Sequence, residues 1–146
     1  MFPTFDYEYV TYDELYQAYT DCRKHKWKTA NAAIFQISLS KNLYKLWVDL
    51  NRGNYHIGRS IAFIVDKPVK REVFAADFRD RIVHHLIINR LLSGFEKEMI
   101  KNSFSCRKGK GTLYGIKTLE SELQQITRNY TQTAFILKCD LKSFFI

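Results

Sequence analysis

The stretch SIAFIVDKPVKREVFA, residues 60–75, contains two short runs rich in β-branched and aromatic residues. Residues 60–65 predict one strand and residues 71–75 predict a returning strand. The segment 66–70 between them predicts the turn, because aspartate and proline favour turn conformations. The stretch therefore predicts a β-hairpin with a basic tip.

Three cations, Lys67, Lys70 and Arg71, lie in or beside this turn. Arginine binds phosphate oxygens in a bidentate manner, whereas lysine acts as a point charge, so the tip is suited to a triphosphate. Lysines on exposed strands also discourage edge-to-edge aggregation. The residues alone leave both interpretations open.

Helices are predicted on both sides of the hairpin. Thr11 and Glu14 have the spacing of a capping box and predict the start of the first helix. Apolar residues at helical spacing predict further helices over residues 30–50, 78–100 and 113–129. The residues expected to be buried are Leu15, Ala18, Tyr19 and Cys22 in the first helix, Ile34, Leu39, Leu43, Leu46, Trp47 and Leu50 in the second, Phe78, Ile82, Val83, Leu86, Ile87 and Leu91 in the third, and Ile116, Leu119, Leu123 and Ile126 in the fourth. The predicted fold class is α+β and mainly helical.

The run AFILKCD, residues 134–140, is a continuous apolar segment that ends in a carboxylate. Such a run predicts a buried central strand. A carboxylate at a strand end can hold a divalent metal, and two-metal nucleotidyl transfer requires one. Asp140 can equally cap the turn or helix that follows, and on Asp140 alone capping is the better interpretation.

The loop NSFSCRKGKGT, residues 102–112, alternates cations with glycines. Arg107, Lys108 and Lys110 could approach a phosphate chain together with backbone amides. The spacing is not that of a Walker loop. A solvated basic loop is the other interpretation.

The composition favours a polyanionic partner. Among 146 residues, 23 are Lys or Arg and 15 are Asp or Glu, which gives a net charge of +8. A basic protein without such a partner remains the other interpretation. Three cysteines without a C-x-x-C pair argue against a zinc site and suit a reduced, cytoplasmic location. The sequence shows neither a signal peptide nor a membrane span, so we expect no membrane partner.

Three segments together resemble a known family. REVFAADFRDRIVHH, residues 71–85, resembles the first conserved block of bacterial reverse transcriptases, above all the diversity-generating retroelement, retron and group II intron-like branches. The loop at 102–112 resembles the next block, S-x-x-x-R-x-G-[RK]-[GS]. KCDLKSFF, residues 138–145, resembles the A block, a strand followed by D-[IL]-x-x-F-F. The blocks occur in the family's order over residues 63–146.

The resemblance implies the fingers and the first palm strand of an RNA-directed DNA polymerase. Residues 1–58 would be an N-terminal helical region, 59–133 the fingers and 134–146 the start of the palm. Such an enzyme transfers dNTPs to a primer by a two-metal mechanism. The implied cofactor is Mg²⁺ or Mn²⁺, and the implied partners are an RNA template, a DNA or RNA primer, and dNTPs.

The resemblance also assigns roles to residues. Asp140 would be the catalytic aspartate and a metal ligand, with the backbone carbonyl of Leu141 as a further ligand. The other implied contacts are Arg71, Lys67, Lys70 and Phe145 with the incoming nucleotide, and Arg107, Lys108 and Lys110 with the template or primer backbone. Asp80 and Arg81, at the start of a predicted helix, are expected to cap it or to pair with a neighbouring loop.

The family's [YF]-x-D-D element and its B block are absent from the 146 residues. We therefore expect this chain not to polymerise by itself, whereas a longer parent protein would. The 134–140 strand would lack partners and would be disordered or pair with a second copy. A non-catalytic RNA-binding module with the same fingers fold is the alternative function. A basic structural domain, which would show no salt-sensitive RNA binding, is a third.

Overall fold

The computed structural model describes residues 9–24, 29–68 and 70–141. Within this part of the chain the elements are α1 (Tyr12–Arg23), α2 (Ala30–Ile37), α3 (Leu39–Asn51), β1 (Ile61–Val65), β2 (Arg71–Ala75), α4 (Phe78–Glu98) and α5 (Thr112–Ile126). The fold is α+β and mainly helical, as predicted. The chain forms two compact units, Met1–Phe95 and Glu96–Ile146. No described helix is both long and apolar enough to cross a membrane.

Helix α1 begins with the predicted capping box. The backbone amide of Glu14 donates to Thr11 Oγ1 at 3.2 Å, and the amide of Thr11 donates to Glu14 Oε2 at 2.9 Å. These two bonds satisfy amides that a helix start otherwise leaves without partners. The predicted stripe is confirmed, since all four of its residues are buried.

The helix predicted over residues 30–50 is instead two helices, α2 and α3, separated at Ser38. Ser38 has φ −124° and ψ 48°, which is outside the helical region. The Asn42 side chain donates to the Phe35 carbonyl at 2.9 Å and thereby satisfies an acceptor at the end of α2. The prediction that Ile34 is buried is wrong, because its side chain is 66% exposed. Ala32 and Phe35 form the buried face of α2, and Ile34 points away from it.

The first unit has a hydrophobic core built from α1 to α4. The rings of Tyr19, Phe35 and Phe78 meet there with centroids 5.5–6.2 Å apart. Burial of each large apolar side chain contributes about 1.5–3 kcal/mol. The buried residues are Leu15, Ala18, Tyr19, Cys22, Ala32, Phe35, Leu43, Leu46, Phe78, Ile82, Val83 and Leu86.

Strands β1 and β2 form the predicted antiparallel hairpin. Ile61 lies opposite Ala75, and Val65 lies opposite Arg71. Residues directly opposite each other share one face of the ribbon, and successive residues alternate between faces. Arg71 therefore shares a face with Val65, Phe63 and Ile61.

Two further sequence predictions concern burial in the second unit and in α4, and the structure corrects them. Helix α5 forms, but none of its residues is buried, and its predicted stripe residues Ile116, Leu119 and Ile126 are 57%, 47% and 67% exposed. Ile87 in α4 is also 47% exposed. The amphipathic periodicity correctly predicted that α5 is a helix. Burial of its apolar stripe also requires another apolar surface packed against it.

The predicted strand at 134–140 is not formed in the described residues. Residues 133–140 have no regular secondary structure, and Phe135 and Leu137 are 97% and 87% exposed. A strand needs a neighbour for its backbone hydrogen bonds, whereas β1 and β2 pair with each other in a two-stranded sheet. This segment is therefore not a buried central strand among the described residues, which agrees with the expectation that it lacks strand partners here, and its pairing with a second copy stays a prediction.

Candidate nucleic-acid interface

The turn end of the hairpin carries the three predicted cations. Lys67 and Lys70 are exposed in the turn, and Arg71 is exposed as the first residue of β2. Asp66 is also in the turn, and Glu72 follows Arg71. Because Glu72 lies opposite Ile64, its side chain is on the other face from Arg71. Arg71 therefore presents its charge on the face of the hairpin away from Glu72, and Lys67 and Lys70 add exposed positive charge in the adjoining turn.

The face that carries Arg71 has an apolar cavity at the opposite end of the strands. The cavity has a volume of about 150 Å³ and is lined by Ile61, Phe63, Ala75 and Phe78, together with residues of the α2 start and the guanidinium-bearing Arg81. Arg81 Nε donates to the Ala76 carbonyl at 2.9 Å, which confirms the prediction of a local structural role. One face of the hairpin thus offers positive charge at one end and apolar surface at the other.

In the second unit, Arg107 organises the basic loop. Its Nη2 and Nε lie 2.6 and 3.0 Å from Glu96 Oε2, and its Nη1 donates to the carbonyls of Ile100 at 3.1 Å and Ser103 at 3.2 Å. The Arg107 side chain is 8% exposed. This contact lowers the pKa of Glu96 below its ordinary value, because the guanidinium bonds to the carboxylate. A phosphate could reach Arg107 only by competing with Glu96.

The two lysines of the loop differ in their surroundings. Lys110 Nζ donates to the Lys101 carbonyl at 2.7 Å, which closes the loop. Gly109 has φ +71°, a conformation that side-chain-bearing residues rarely adopt, and it completes a turn in which the Lys110 amide donates to the Arg107 carbonyl at 3.2 Å. Lys108 is exposed within this turn. Lys108 is thus the loop cation that the structure presents most directly to a ligand.

Asp140 and Leu141 lie in the exposed segment that follows α5. The described residues contain no group of three or more His, Cys, Asp or Glu side chains that could hold a metal ion. Asp140 therefore offers one carboxylate rather than a metal site in this part of the chain. Phe145, the predicted contact of the nucleotide sugar, lies outside the described residues.

A buried polar network fixes the segment that leads into β1. Asp80 is 1% exposed, and it accepts hydrogen bonds from the Tyr55 hydroxyl at 2.7 Å and the Gly58 amide at 2.8 Å. Burial and the neighbouring Asp80 raise the pKa of Tyr55 to about 12. The predicted pairing of Asp80 with a neighbouring loop is confirmed. No local sequence pattern pointed to Tyr55, since Tyr55 and Asp80 are 25 positions apart.

Arg79 extends this network on the other side of Tyr55. Its guanidinium carbon lies 4.8 Å from the centre of the Tyr55 ring. Its Nη2 lies 2.9 Å from Asp49 Oδ2, and its Nη1 donates to the His56 carbonyl at 3.1 Å. Arg79 and Asp80 together hold residues 55–58 between α3 and α4, and so set where the hairpin begins.

The predicted contact residues thus divide between the two units. Lys67, Lys70 and Arg71 are together in the first unit, whereas Arg107, Lys108, Lys110 and Asp140 belong to the second. Searches against protein-family models and against curated proteins found no match to this sequence.

Proposed function

We propose that this chain forms the fingers and the beginning of the palm of an RNA-directed DNA polymerase. The observation that carries the proposal is the β1–β2 hairpin, with Lys67, Lys70 and Arg71 exposed at its turn end. The ordered likeness of three sequence segments to the blocks of reverse transcriptases supports the same function. In this proposal the turn end binds the triphosphate of the incoming nucleotide.

The charges of the hairpin suit a triphosphate. Arg71 presents a planar fork of donors for phosphate oxygens, and Lys67 and Lys70 add point charges in the same turn. The Glu72 side chain lies on the other face of the ribbon from Arg71, so it does not neutralise Arg71 directly. The Asp80 network preorganises this arrangement, since it fixes the segment that precedes β1.

The catalytic metal ions need more ligands than the described residues provide. Nucleotidyl transfer on two metal ions requires several carboxylates around them. Asp140 supplies one in this proposal, with the Leu141 carbonyl beside it in sequence, and Mg²⁺ or Mn²⁺ would be the cofactor of the parent protein. The 146-residue chain itself is expected to be inactive.

Primer extension tests the proposal. The protein encoded by the whole open reading frame is incubated with an RNA template, a DNA primer, dNTPs and Mg²⁺, beside the Asp140→Asn variant and the 146-residue chain. We expect the whole protein to synthesise DNA, Asp140→Asn to lose more than about a hundredfold in rate, and the 146-residue chain to make none. Absence of synthesis by the whole protein, or full activity of Asp140→Asn, contradicts the proposal.

The role of the hairpin is tested by the dependence of extension on dNTP concentration. Arg71→Gln should raise the KM for dNTP about tenfold, because it removes a charge-assisted contact with phosphate. Arg59→Gln is the matched control, since Arg59 is an exposed cation just before β1. Equal KM values for Arg71→Gln and Arg59→Gln would contradict the proposal that the hairpin binds the triphosphate.

A non-catalytic RNA-binding module is the second candidate, because the exposed cations of the hairpin turn suit RNA phosphates as well as a triphosphate. This candidate predicts salt-dependent RNA binding by the whole protein without any primer extension. The primer-extension experiment therefore separates the two functions.

A further inference from the structure

The first unit carries an exposed cluster of aromatic rings from residues outside the hairpin. We call Tyr9, Tyr12, Tyr44 and Trp47 the aromatic patch. The centroid of the Trp47 ring lies 5.7 Å from that of Tyr9, 6.4 Å from that of Tyr12 and 5.7 Å from that of Tyr44. The three tyrosines are 59%, 38% and 59% exposed in that order. Contiguous exposed apolar surface marks interaction sites, whereas single exposed apolar residues are ordinary.

Hydrogen bonds hold the aromatic patch in place. Trp47 Nε1 donates to the Val10 carbonyl at 2.8 Å, which fixes the orientation of the indole. Asn51 accepts from the Val10 amide at 2.8 Å and donates to the Val10 carbonyl at 3.0 Å. Arg90 Nη2 donates to the Tyr9 carbonyl at 3.2 Å. A ligand would therefore meet rings whose backbone supports are already ordered, so binding costs less conformational entropy.

A row of cations borders the aromatic patch on α3. Lys41, Lys45 and Arg52 are exposed, and the helical period of 3.6 residues puts them within about 40° of one another around the helix axis. Tyr44 lies next to this row, on the side toward Trp47. No ion pair in the described part of the chain involves these three cations. Asp13 on α1 is an exposed carboxylate close in sequence to Tyr12.

We propose that the aromatic patch binds single-stranded nucleic acid. Unpaired bases would stack on Tyr44 and its neighbouring rings, while phosphates would follow the row of Lys41, Lys45 and Arg52. A nucleic acid fits better than a protein partner because the exposed rings are bordered by cations and the chain has a net charge of +8. The proposal does not depend on polymerase activity, because these residues belong to neither the hairpin nor the basic loop.

The test uses the 146-residue chain and a single-stranded oligouridylate. Stacking quenches indole fluorescence, and a Trp27→Phe background leaves Trp47 as the reporter. We expect saturable quenching of Trp47 that weakens as salt is raised. In this background Tyr44→Leu should weaken binding at least about fivefold, because one base loses its aromatic support. Tyr44→Phe should stay within about twofold of the parent, because it keeps the ring.

Tyr130→Leu is the matched control, since Tyr130 is a 60% exposed tyrosine outside the aromatic patch. It should bind like the parent. The variant Lys41→Gln/Lys45→Gln changes no ring, and it should weaken binding and reduce its dependence on salt. The proposal is overturned if Tyr44→Leu binds like the parent or if Tyr130→Leu loses as much. It is also overturned if the oligouridylate fails to bind to the parent at low salt.

Discussion

Both units of this chain contain amphipathic helices, but only in the first unit are apolar residues of the described helices buried. In Met1–Phe95, four helices contribute side chains to one buried cluster, and Leu43, Leu46 and Ile82 are 0% exposed. In Glu96–Ile146, α5 is amphipathic but has no buried residue. An isolated helix of its length is only marginally stable in water, so its apolar stripe contributes little to the stability of the chain. Apolar periodicity thus predicts a helix in both units. The apolar stripe of a helix becomes buried only where another apolar surface packs against it.

Truncation of matched leucines should show this difference most strongly. Leu43→Ala creates a cavity in the first unit and should lower the free energy of unfolding by about 2–5 kcal/mol. Leu119→Ala in α5 should change it by less than about 0.5 kcal/mol, because Leu119 is 47% exposed and alanine favours the helix. Urea denaturation followed by circular dichroism measures both. Equal losses would show that the α5 stripe is covered in solution.

The buried network of the first unit should give the next largest effect. Asp80→Ala leaves the Tyr55 hydroxyl and the Gly58 amide without their acceptor and should cost roughly 2–4 kcal/mol. Tyr55→Phe removes one neutral donor and should cost about 1 kcal/mol. The double variant should cost less than the sum, because both changes remove the same hydrogen bond. Strict additivity in urea denaturation would contradict the coupling between Asp80 and Tyr55.

A substitution in the loop of the second unit should change the order of the loop itself and leave the stability of the first unit unchanged. Arg107→Gln removes the contacts with Glu96 and with two carbonyls, so residues 101–111 should be cleaved faster by a protease. The free energy of unfolding of the first unit should stay within about 0.5 kcal/mol, because the loop does not belong to its core. Lys108→Gln is the control, and its cleavage rate should match the parent's. A large fall in the unfolding free energy of the first unit for Arg107→Gln would contradict the claim that the loop does not contribute to the stability of that unit.

The smallest expected effect is the pH dependence of the contact between Glu14 and Arg90. Hydrogen bonds from Arg90 lower the pKa of Glu14 from 4.5 to about 2. Because the pKa is lower in the folded state, the contact stabilises the protein above about pH 4.5, and this stabilisation is lost as pH falls toward 2. The difference in Tm between the parent and Glu14→Gln should therefore shrink over this range. A difference that stays constant down to pH 2 would contradict the assignment.

Local chemistry explains which parts of the fold the sequence predicted. The capping box at Thr11 and the turn residues of the hairpin act over a few positions, and both predictions are confirmed. The break at Ser38 was missed because the apolar pattern continues across it. The exposure of α5 was missed because periodicity does not report what covers a stripe.

In the candidate sites too, the sequence predicted groupings of residues that are near one another in the chain and missed contacts between residues that are far apart. The hairpin cations are close together because one turn holds them, so spacing alone predicted their grouping. The contacts of Arg107 with Glu96, and of Asp80 with Tyr55, depend on how the chain folds back on itself. The aromatic patch was missed for the same reason, since Tyr9 and Trp47 come from segments far apart in sequence.

A nucleic-acid partner is the central claim, because both the polymerase proposal and the aromatic patch require one. The most direct test measures the affinity of the 146-residue chain for single-stranded RNA as salt is raised. Three phosphate contacts on single strands predict a slope of log affinity against log salt of about −2, and further contacts make it steeper. Saturable binding with such a slope supports the account. Absence of binding at low salt, or a slope near zero, would contradict it.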